Sequence, residues 1–344
     1  MKLIKTVDAA GQVLCHDITQ IIPGSKKGPV FKKGHIVTEE DIPVLLSVGK
    51  ENLYIWEKNE GMLHEDEAAY ILKDICMGES LTMKASEPSE GKITISAAVS
   101  GLLKVDSERL DAVNSLGEMM IATAHGNYPV RSGDKIAGTR IIPLVIEEEK
   151  MNKAREKAGD EPLLSILPFR EVKVGLIITG NEVASGRIKD SFGPVLTEKL
   201  LEYDAVVIGQ RILPDASEGI TDAIEYFADK GADIVLVSGG MSVDPDDRTP
   251  KAIKDTGADI ITYGAPVLPG AMFMLAYLKR EDREVAVMGL PGCVMYARRT
   301  VFDLVLPRVI AGERLKASDL VAYGEGGLCL SCDICHFPNC GFGK

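Results

Sequence analysis

Two groups of residues carry reactive side chains at spacings that have chemical meaning. The first lies within Asp233–Pro250, where Ser238-Gly239-Gly240 is followed closely by the carboxylates Asp244, Asp246 and Asp247 and then by Thr249-Pro250. Glycines let a backbone turn sharply and bring its amides close to an anion. Nearby carboxylates can hold a metal ion or a metal oxyanion beside it. Thr249-Pro250 reads as an N-cap with proline at the first helical position. The second group is Cys329-x-x-Cys332-x-x-Cys335-His336-x-x-x-Cys340. Four thiolates this close suit either tetrahedral zinc or an iron–sulfur cluster, and both remain open. The first three cysteines have ferredoxin-like spacing. The fourth comes one residue late and lacks the following proline.

The first group needs a sheet edge to stand on. Val172 to Ile178, Ala205 to Ile208, Ile234 to Val237 and Val285 to Met288 are short apolar runs, and helical patterns span 195–202, 218–230 and 250–255. That alternation predicts βαβ units around a largely parallel sheet. Three of the strands end in turns: Thr179-Gly180-Asn181-Glu182, Ser238-Gly239-Gly240, and Gly289-Leu290-Pro291-Gly292. In a parallel sheet such turns lie at one edge, where their amides can converge on one anion. Glu182, Asp190, Asp246 and Asp247 would stand on the same rim. Neither a Walker-type nor a dinucleotide-binding glycine pattern is present. Residues 294–310 read as mostly helical, interrupted by Pro307.

The rest of the chain divides by pattern. Residues 1–57 mix short β runs (Ile21-Ile22-Pro23, then Gly24) with a helix begun at Thr38-Glu39-Glu40-Asp41 and stopped by Gly49; Leu53 to Trp56 reads as a strand. His16 and His35 are expected to be satisfied structural histidines. Residues 58–150 hold an amphipathic helix over Glu60–Cys76 and then a small β-rich domain. The charged stretch 147–162 is expected to be either a solvated helix or a linker, and a domain boundary with a linker is placed over 151–170. An α/β domain spans 171–312, and a tail with the cysteine cluster spans 313–344.

Bulk properties exclude several classes. The chain has 344 residues, a net charge of −12 and 45% hydrophobic residues. With no long Lys/Arg run, nucleic acid is not an expected partner. No apolar stretch approaches the roughly 20 residues of a membrane span. Without a recognisable signal sequence, a cytoplasmic setting with reduced thiols is expected.

The residues from about 172 to 310 resemble the molybdopterin-binding domain shared by molybdopterin adenylyltransferases, molybdopterin molybdotransferases (molybdenum insertases) and competence-damage-inducible proteins. Thr-Gly-Asn-Glu at 179–182, Asp190-Ser191, Ser-Gly-Gly-Met-Ser at 238–242 with Asp247, Thr249 and Pro250, Pro269-Gly270, and Gly-Leu-Pro-Gly at 289–292 carry the likeness in order. More loosely, Asp17-Ile18, Pro23-Gly24, Gly34-His35-Ile36 and Glu40-Asp41-Ile42 echo the insertases. The resemblance implies a three-layer α/β domain with a mainly parallel sheet, joined to an N-terminal β-rich region and a short cysteine-rich tail. It implies molybdopterin as ligand, Mg2+ as a candidate companion ion, and a homo-oligomer. Asp190 and Asp247 take the functional carboxylate positions. Thr179, Gly180, Asn181, Glu182, Ser191, Ser238, Gly239, Gly240, Met241, Ser242, Asp246, Thr249, Pro269, Gly270, Pro291 and Gly292 take the ligand-binding ones. Cys329, Cys332, Cys335 and Cys340 stand outside the likeness. This chain departs from the insertases at Asn181, at Phe192 where Asn is usual, and at Ala271-Met272 where the turn reads Lys-Pro.

The expected function is therefore molybdenum cofactor biosynthesis, with molybdate insertion as the reaction. A non-catalytic chaperone or sensor docking a molybdoenzyme or another biosynthesis protein is the first alternative. A nucleotide pyrophosphatase of the competence-damage type is the second.

Overall fold

Alternate residues along three neighbouring strands face two different apolar layers, and this decides the architecture around the first reactive group. The computed structural model describes residues 2–22, 26–55, 60–242, 244 and 247–344. Pro23-Gly24, Trp56 and Asp246, singled out above, lie outside them. The chain forms two units: residues 1–98, 105–124 and 132–165, and residues 99–104, 125–131 and 166–344.

The second unit is built on β1 (Lys173–Thr179), α1 (Phe192–Leu201), β2 (Val206–Leu213), α2 (Ser217–Asp229), β3 (Ile234–Ser238), α3 (Thr249–Asp255), β4 (Asp259–Tyr263), β5 (Met274–Lys279), β6 (Glu284–Leu290) and α4 (Val301–Ile310). The sheet order is β2-β1-β3-β6-β5-β4. The pairs β2/β1, β1/β3 and β3/β6 are parallel, and β6/β5 and β5/β4 are antiparallel. Val174, Leu176, Ile178, Leu236 and Met288 face a layer with Leu196 and Leu200 of α1 and Phe302 and Val305 of α4. Ile177, Val235, Val237 and Val287 face the other, with Ile220, Ile224 and Phe227 of α2 and Ile253 of α3. Apolar on both faces, these strands require helices on both sides, and three layers result. Gly175 lets Phe227 lie flat on the sheet, for a Cβ there would come within 2.7 Å of the Phe227 Cβ.

The cysteine segment is no separate tail. Leu315, Leu320, Tyr323 and Phe342 are buried in the α1/α4 layer, and Phe337, Cys329 and Cys340 pack against it. The hairpin pairing Gly101–Leu103 with Tyr128–Val130 belongs to this unit too. The helix expected over 294–310 is shorter. A single 3-10 turn covers Gly292–Met295, and α4 begins only at Val301, capped by Thr300 and reciprocally by Asp303.

In the first unit, Lys2–Lys5 pairs with Asn52–Ile55 beside a helix at Asp41–Ser47. A four-stranded antiparallel sheet runs in the order Met83–Ala85, Lys92–Ala97, Lys135–Ile141, Met119–Thr123, with the helix Glu65–Met77 packed on it. Over 151–170 the structure takes the helical alternative and not the linker, though the helix is docked and not solvated all round. The first part of this stretch continues the helix Glu148–Ala158, and Leu164–Pro168 is a strand. Charge counting hid an apolar stripe of Met151, Ala154 and Ala158 at helical spacing, all buried. A helix at Ser107–Asn114 also sits inside the block read as β-rich, capped by Asp106 accepting the Arg109 N–H at 3.0 Å.

His35 is structural as expected, its Nε2 2.7 Å from Asp41 and its ring against Phe31. His16 differs: its Nδ1 is buried without a partner among the described residues. His64 caps the helix Glu65–Met77, accepting the Asp66 N–H at Nδ1 and donating from Nε2 to the Cys15 carbonyl at 2.7 Å. Beside it, burial and then the neighbouring Asp66 charge push the Glu65 carboxyl up to about 7 from 4.5. Between those values the folded chain binds more protons than the unfolded one, so stability falls as pH rises through that window and stays lower above it. Glu65→Gln keeps the shape without the charge. It is expected to stabilise the fold at pH 8 by about 1–3 kcal/mol and by almost nothing at pH 5, measured by urea denaturation at both. No helix among the described residues is long and apolar enough to cross a membrane.

Candidate functional site

Register brings three of the expected turns together. Ile178 of β1 lies opposite Ser238 of β3, and Ser238 lies opposite Leu290 of β6. Thr179, Ser238 and the Leu290-Pro291-Gly292 turn therefore end neighbouring parallel strands at one sheet edge.

The glycines at that edge are sterically required. Gly239 has φ +100°, and a Cβ there would meet the Thr179 carbonyl oxygen and lie 2.6 Å from Thr179 Oγ1. Gly240 has φ +58°, with Thr249 Oγ1 3.0 Å from where its Cβ would be. The Thr249 hydroxyl does not cap its own helix. It donates to the Gly239 carbonyl at 2.7 Å, and the Thr249 N–H donates to the Gly240 carbonyl at 3.2 Å. α3 is thus clamped to the glycine turn, and Thr249 is a fully buried positioning residue. Arg248 occupies the cap position in helical conformation.

What stays unsatisfied is informative. Thr179 Oγ1, Ser238 Oγ and Asp247 Oδ2 are buried with no hydrogen-bond partner among the described residues. An unpartnered buried polar atom costs about 1–3 kcal/mol, and more when charged. All three belong to the ends of β1 and β3 and the turn that follows β3, with Ser238 on the α1/α4 face of the sheet and Thr179 on the α2/α3 face; hydroxyls suit an anion and a carboxylate oxygen a cation. A divalent ion such as Mg2+ suits the Asp247 oxygen, since hard cations take oxygen ligands.

The remaining expected residues divide. The Asn181 side chain accepts the Asp215 N–H at 3.3 Å, and Asp215 accepts the Asn181 N–H at 3.1 Å, which ties the first turn to the end of β2. Glu182, Ser191 and Ser242 are exposed. Met241 corrects its assignment as a ligand contact: its side chain is buried beneath the turn, close over Gly289 where a Cβ would come within 2.6 Å of the sulfur. Asp190 is engaged in structure. Its Oδ1 accepts the Phe192 N–H at 2.8 Å and the Gly193 N–H at 3.1 Å, and Gln210 Nε2 donates to its Oδ2 at 2.6 Å. It caps α1 and ties it to β2, so it reads as a positioning residue. Gln210, which has no sequence signal, completes that tie.

Pro269-Gly270 lies in the connection from β4 to β5, which leaves the sheet at the same edge, since Tyr263 stands opposite Met274 and Met274 opposite Gly289 of β6. The Pro269 carbonyl accepts the Val301 N–H at 3.2 Å, and a Cβ on Gly270 would lie 2.6 Å from Val301 Cγ1. The turn supports the start of α4, and Pro269 lines a second cavity of about 860 Å³ whose wall includes Cys329, Cys332, Cys335 and Cys340. Arg298 and Arg299 also line it. Sequence reasoning passed over these two, although adjacent arginines just before a helix are a visible signal. Their backbone is held by a buried pair: Lys199 Nζ donates to the Arg298 carbonyl at 2.8 Å and to Asp303 Oδ1 at 2.7 Å. Arg299 bridges Glu202 and the same Asp303 oxygen, each at 3.0 Å.

Comparison with known proteins separates the chain's parts. Residues 3–57 match the model of a domain of unknown function (DUF8806), a description that brings no activity to this segment. Residues 175–311 match the model described as a probable molybdopterin binding domain. A CinA-like protein of Mycobacterium avium (strain 104) is 32% identical over 81 residues, covering 24% of this chain and 19% of the relative. One of Mycobacterium leprae is 31% identical over the same length and shares. The chain thus matches about a fifth of the length of these curated relatives. The tungsten cofactor synthesizing protein MoaB from Pyrococcus furiosus is 21% identical with a TM-score of 0.34, over 41% of this chain and 92% of that one. The protein CinA from Thermoplasma acidophilum is 18% identical with a TM-score of 0.28, over 36% and 89%. With its parallel strand edge, its glycine turns and the family model in agreement, the segment 175–311 belongs to the molybdopterin-binding domain family.

Proposed function

We propose that the edge formed by Thr179, Ser238 and Asp247 binds molybdopterin or its adenylylated form, and that the chain acts in molybdenum cofactor biosynthesis as a molybdotransferase-like protein. The supporting observation is three buried oxygens without partners among the described residues, at the ends of β1 and β3 and in the turn that follows β3. In this reading the Thr179 hydroxyl donates to the ligand phosphate, and the glycine turns let the backbone close on it. Asp247 holds Mg2+ or the incoming molybdate's counter-ion, and the fixed charges position the reacting groups. Asp190 sets the start of α1. A molybdoenzyme or another biosynthesis protein would receive the product.

A second reading is the one implied by the likeness to competence-damage-inducible proteins, hydrolysis of a nucleotide at the same edge; the 81-residue similarity to CinA-like proteins is in keeping with that likeness. Anaerobic calorimetry with molybdopterin, then with adenylylated molybdopterin plus molybdate, tests the two. Pterin binding with release of the nucleotide supports the transferase. Tight pterin binding without turnover leaves a cofactor chaperone. Hydrolysis of free nucleotide with no pterin affinity overturns the proposal.

A further inference from the structure

The cysteine segment is held in shape by the protein itself. The Gly343 N–H donates to the Gly326 carbonyl at 2.9 Å, joining the two ends of the loop. Leu268 and the segment exchange bonds on both sides, Leu268 N–H to the Gly327 carbonyl and Cys329 N–H to the Leu268 carbonyl, each at 2.8 Å. Phe342 is buried in the core, and its carbonyl accepts the Tyr128 hydroxyl. Arg298 Nη1 donates to the Asp333 carbonyl at 2.6 Å, and the Arg299 guanidinium lies 4.9 Å from the centre of the Phe337 ring.

Inside this frame all four thiols face one open space, with Cys332 and Cys335 exposed. All four cysteines line the cavity of about 860 Å³. Among the described residues, no three Cys, His, Asp or Glu side chains are gathered closely enough to hold a single ion. A zinc ion with Zn–S bonds of about 2.3 Å would draw its sulfurs to within about 4 Å of one another. A polynuclear cluster needs the wider arrangement, because each sulfur binds a different iron or a different corner. Arg298 on the wall supplies positive charge toward an occupant that carries a net negative charge once four thiolates are counted, whereas Arg299 is paired with Glu202 and Asp303.

We propose that Cys329, Cys332, Cys335 and Cys340 ligate one four-iron, four-sulfide cluster, a one-electron redox centre distinct from the pterin edge. The Cys-x-x-Cys-x-x-Cys run matches the first three ligands of such clusters, and Cys340 closes the set. Assembly takes up two ferrous ions, two ferric ions and four inorganic sulfides, with no net electron transfer, and releases one proton from each thiol to solvent as its sulfur binds iron.

The test uses the full chain purified anaerobically and reconstituted with equal amounts of ferrous and ferric iron and with sulfide. Metal and sulfide analysis is expected to give about four of each per chain, with a visible absorption that bleaches on dithionite and a paramagnetic signal on one-electron reduction. A chain in which Cys332→Ser and Cys335→Ser are combined is expected to lose the iron and the absorption while keeping its circular dichroism. One zinc per chain without sulfide overturns the proposal. So do two irons with two sulfides, no bound iron after reconstitution, or full iron retention in the double variant. Pterin titration of the double variant keeps the two sites apart. Lost pterin affinity in a cluster-loaded wild-type chain counts against the function proposed above and leaves the cluster standing.

Discussion

Asp247→Ala is expected to weaken binding of molybdopterin with Mg2+ by about 10–100-fold and to leave the fold at least as stable. The reasoning is that Asp247 Oδ2 is buried with no partner among the described residues. Removing such an oxygen takes away a desolvated charge and breaks no bond that the protein makes with it. Asp190→Ala should behave in the opposite way. It frees the Phe192 and Gly193 amides at the start of α1 and the Gln210 amide on β2, and should cost about 1–2 kcal/mol, as loss of a helix cap does. Titration calorimetry and urea denaturation on both variants separate the roles. If Asp247→Ala destabilises the chain as much as Asp190→Ala and leaves pterin affinity intact, Asp247 is a structural acid and the site reading fails.

Gly239→Ala is expected to destabilise the chain by about 2–4 kcal/mol and to abolish ligand binding. Part of this is the left-handed backbone at φ +100°, which costs an L-residue roughly 1–2 kcal/mol. The rest is collision with the Thr179 carbonyl and hydroxyl, an overpacking worth about 1–3 kcal/mol. The displaced groups include Thr179 Oγ1 itself, so the strain falls on the proposed binding edge. Gly292→Ala is the matched control. Its φ is ordinary, no atom lies within 4 Å of the added Cβ, and its stability change should stay within about 0.5 kcal/mol. If Gly292→Ala nonetheless weakens the pterin complex, the ligand reaches across to the end of β6. Chemical denaturation and pterin titration of both variants read these outcomes.

The sheet edge was legible because its strands are apolar on both faces, and such runs bounded by glycine have few other places to go. β5 was passed over for a related reason. Met274 to Leu278 is a short apolar run that suits a strand or a buried helix equally, and only its antiparallel pairing with β6 settles it. Asp190 looked catalytic because the sequence shows the acid and hides Gln210, which reaches it from a neighbouring strand. Thr249 looked like a cap because Gly239, the carbonyl it serves, is ten residues back across a turn. Pro269-Gly270 was placed with the other turns by the family likeness, and it does leave the sheet at their edge, between β4 and β5; what the likeness hides is that its backbone holds the start of α4. The charges left the stretch 147–162 open between a helix and a linker and hid its docking, since three small or flexible apolar residues are enough to dock Glu148–Ala158.

The closed frame of the cysteine segment has a consequence for timing. Tyr128, Leu268, Arg298 and Phe342 come from distant parts of the chain, and the frame exists only after they have met. Iron loading would then be the last event in the life of a newly made chain, following the folding of the α/β core. A nascent or damaged copy would present its thiols one at a time and fail to retain the metal. Iron content would thus mark which molecules had finished folding.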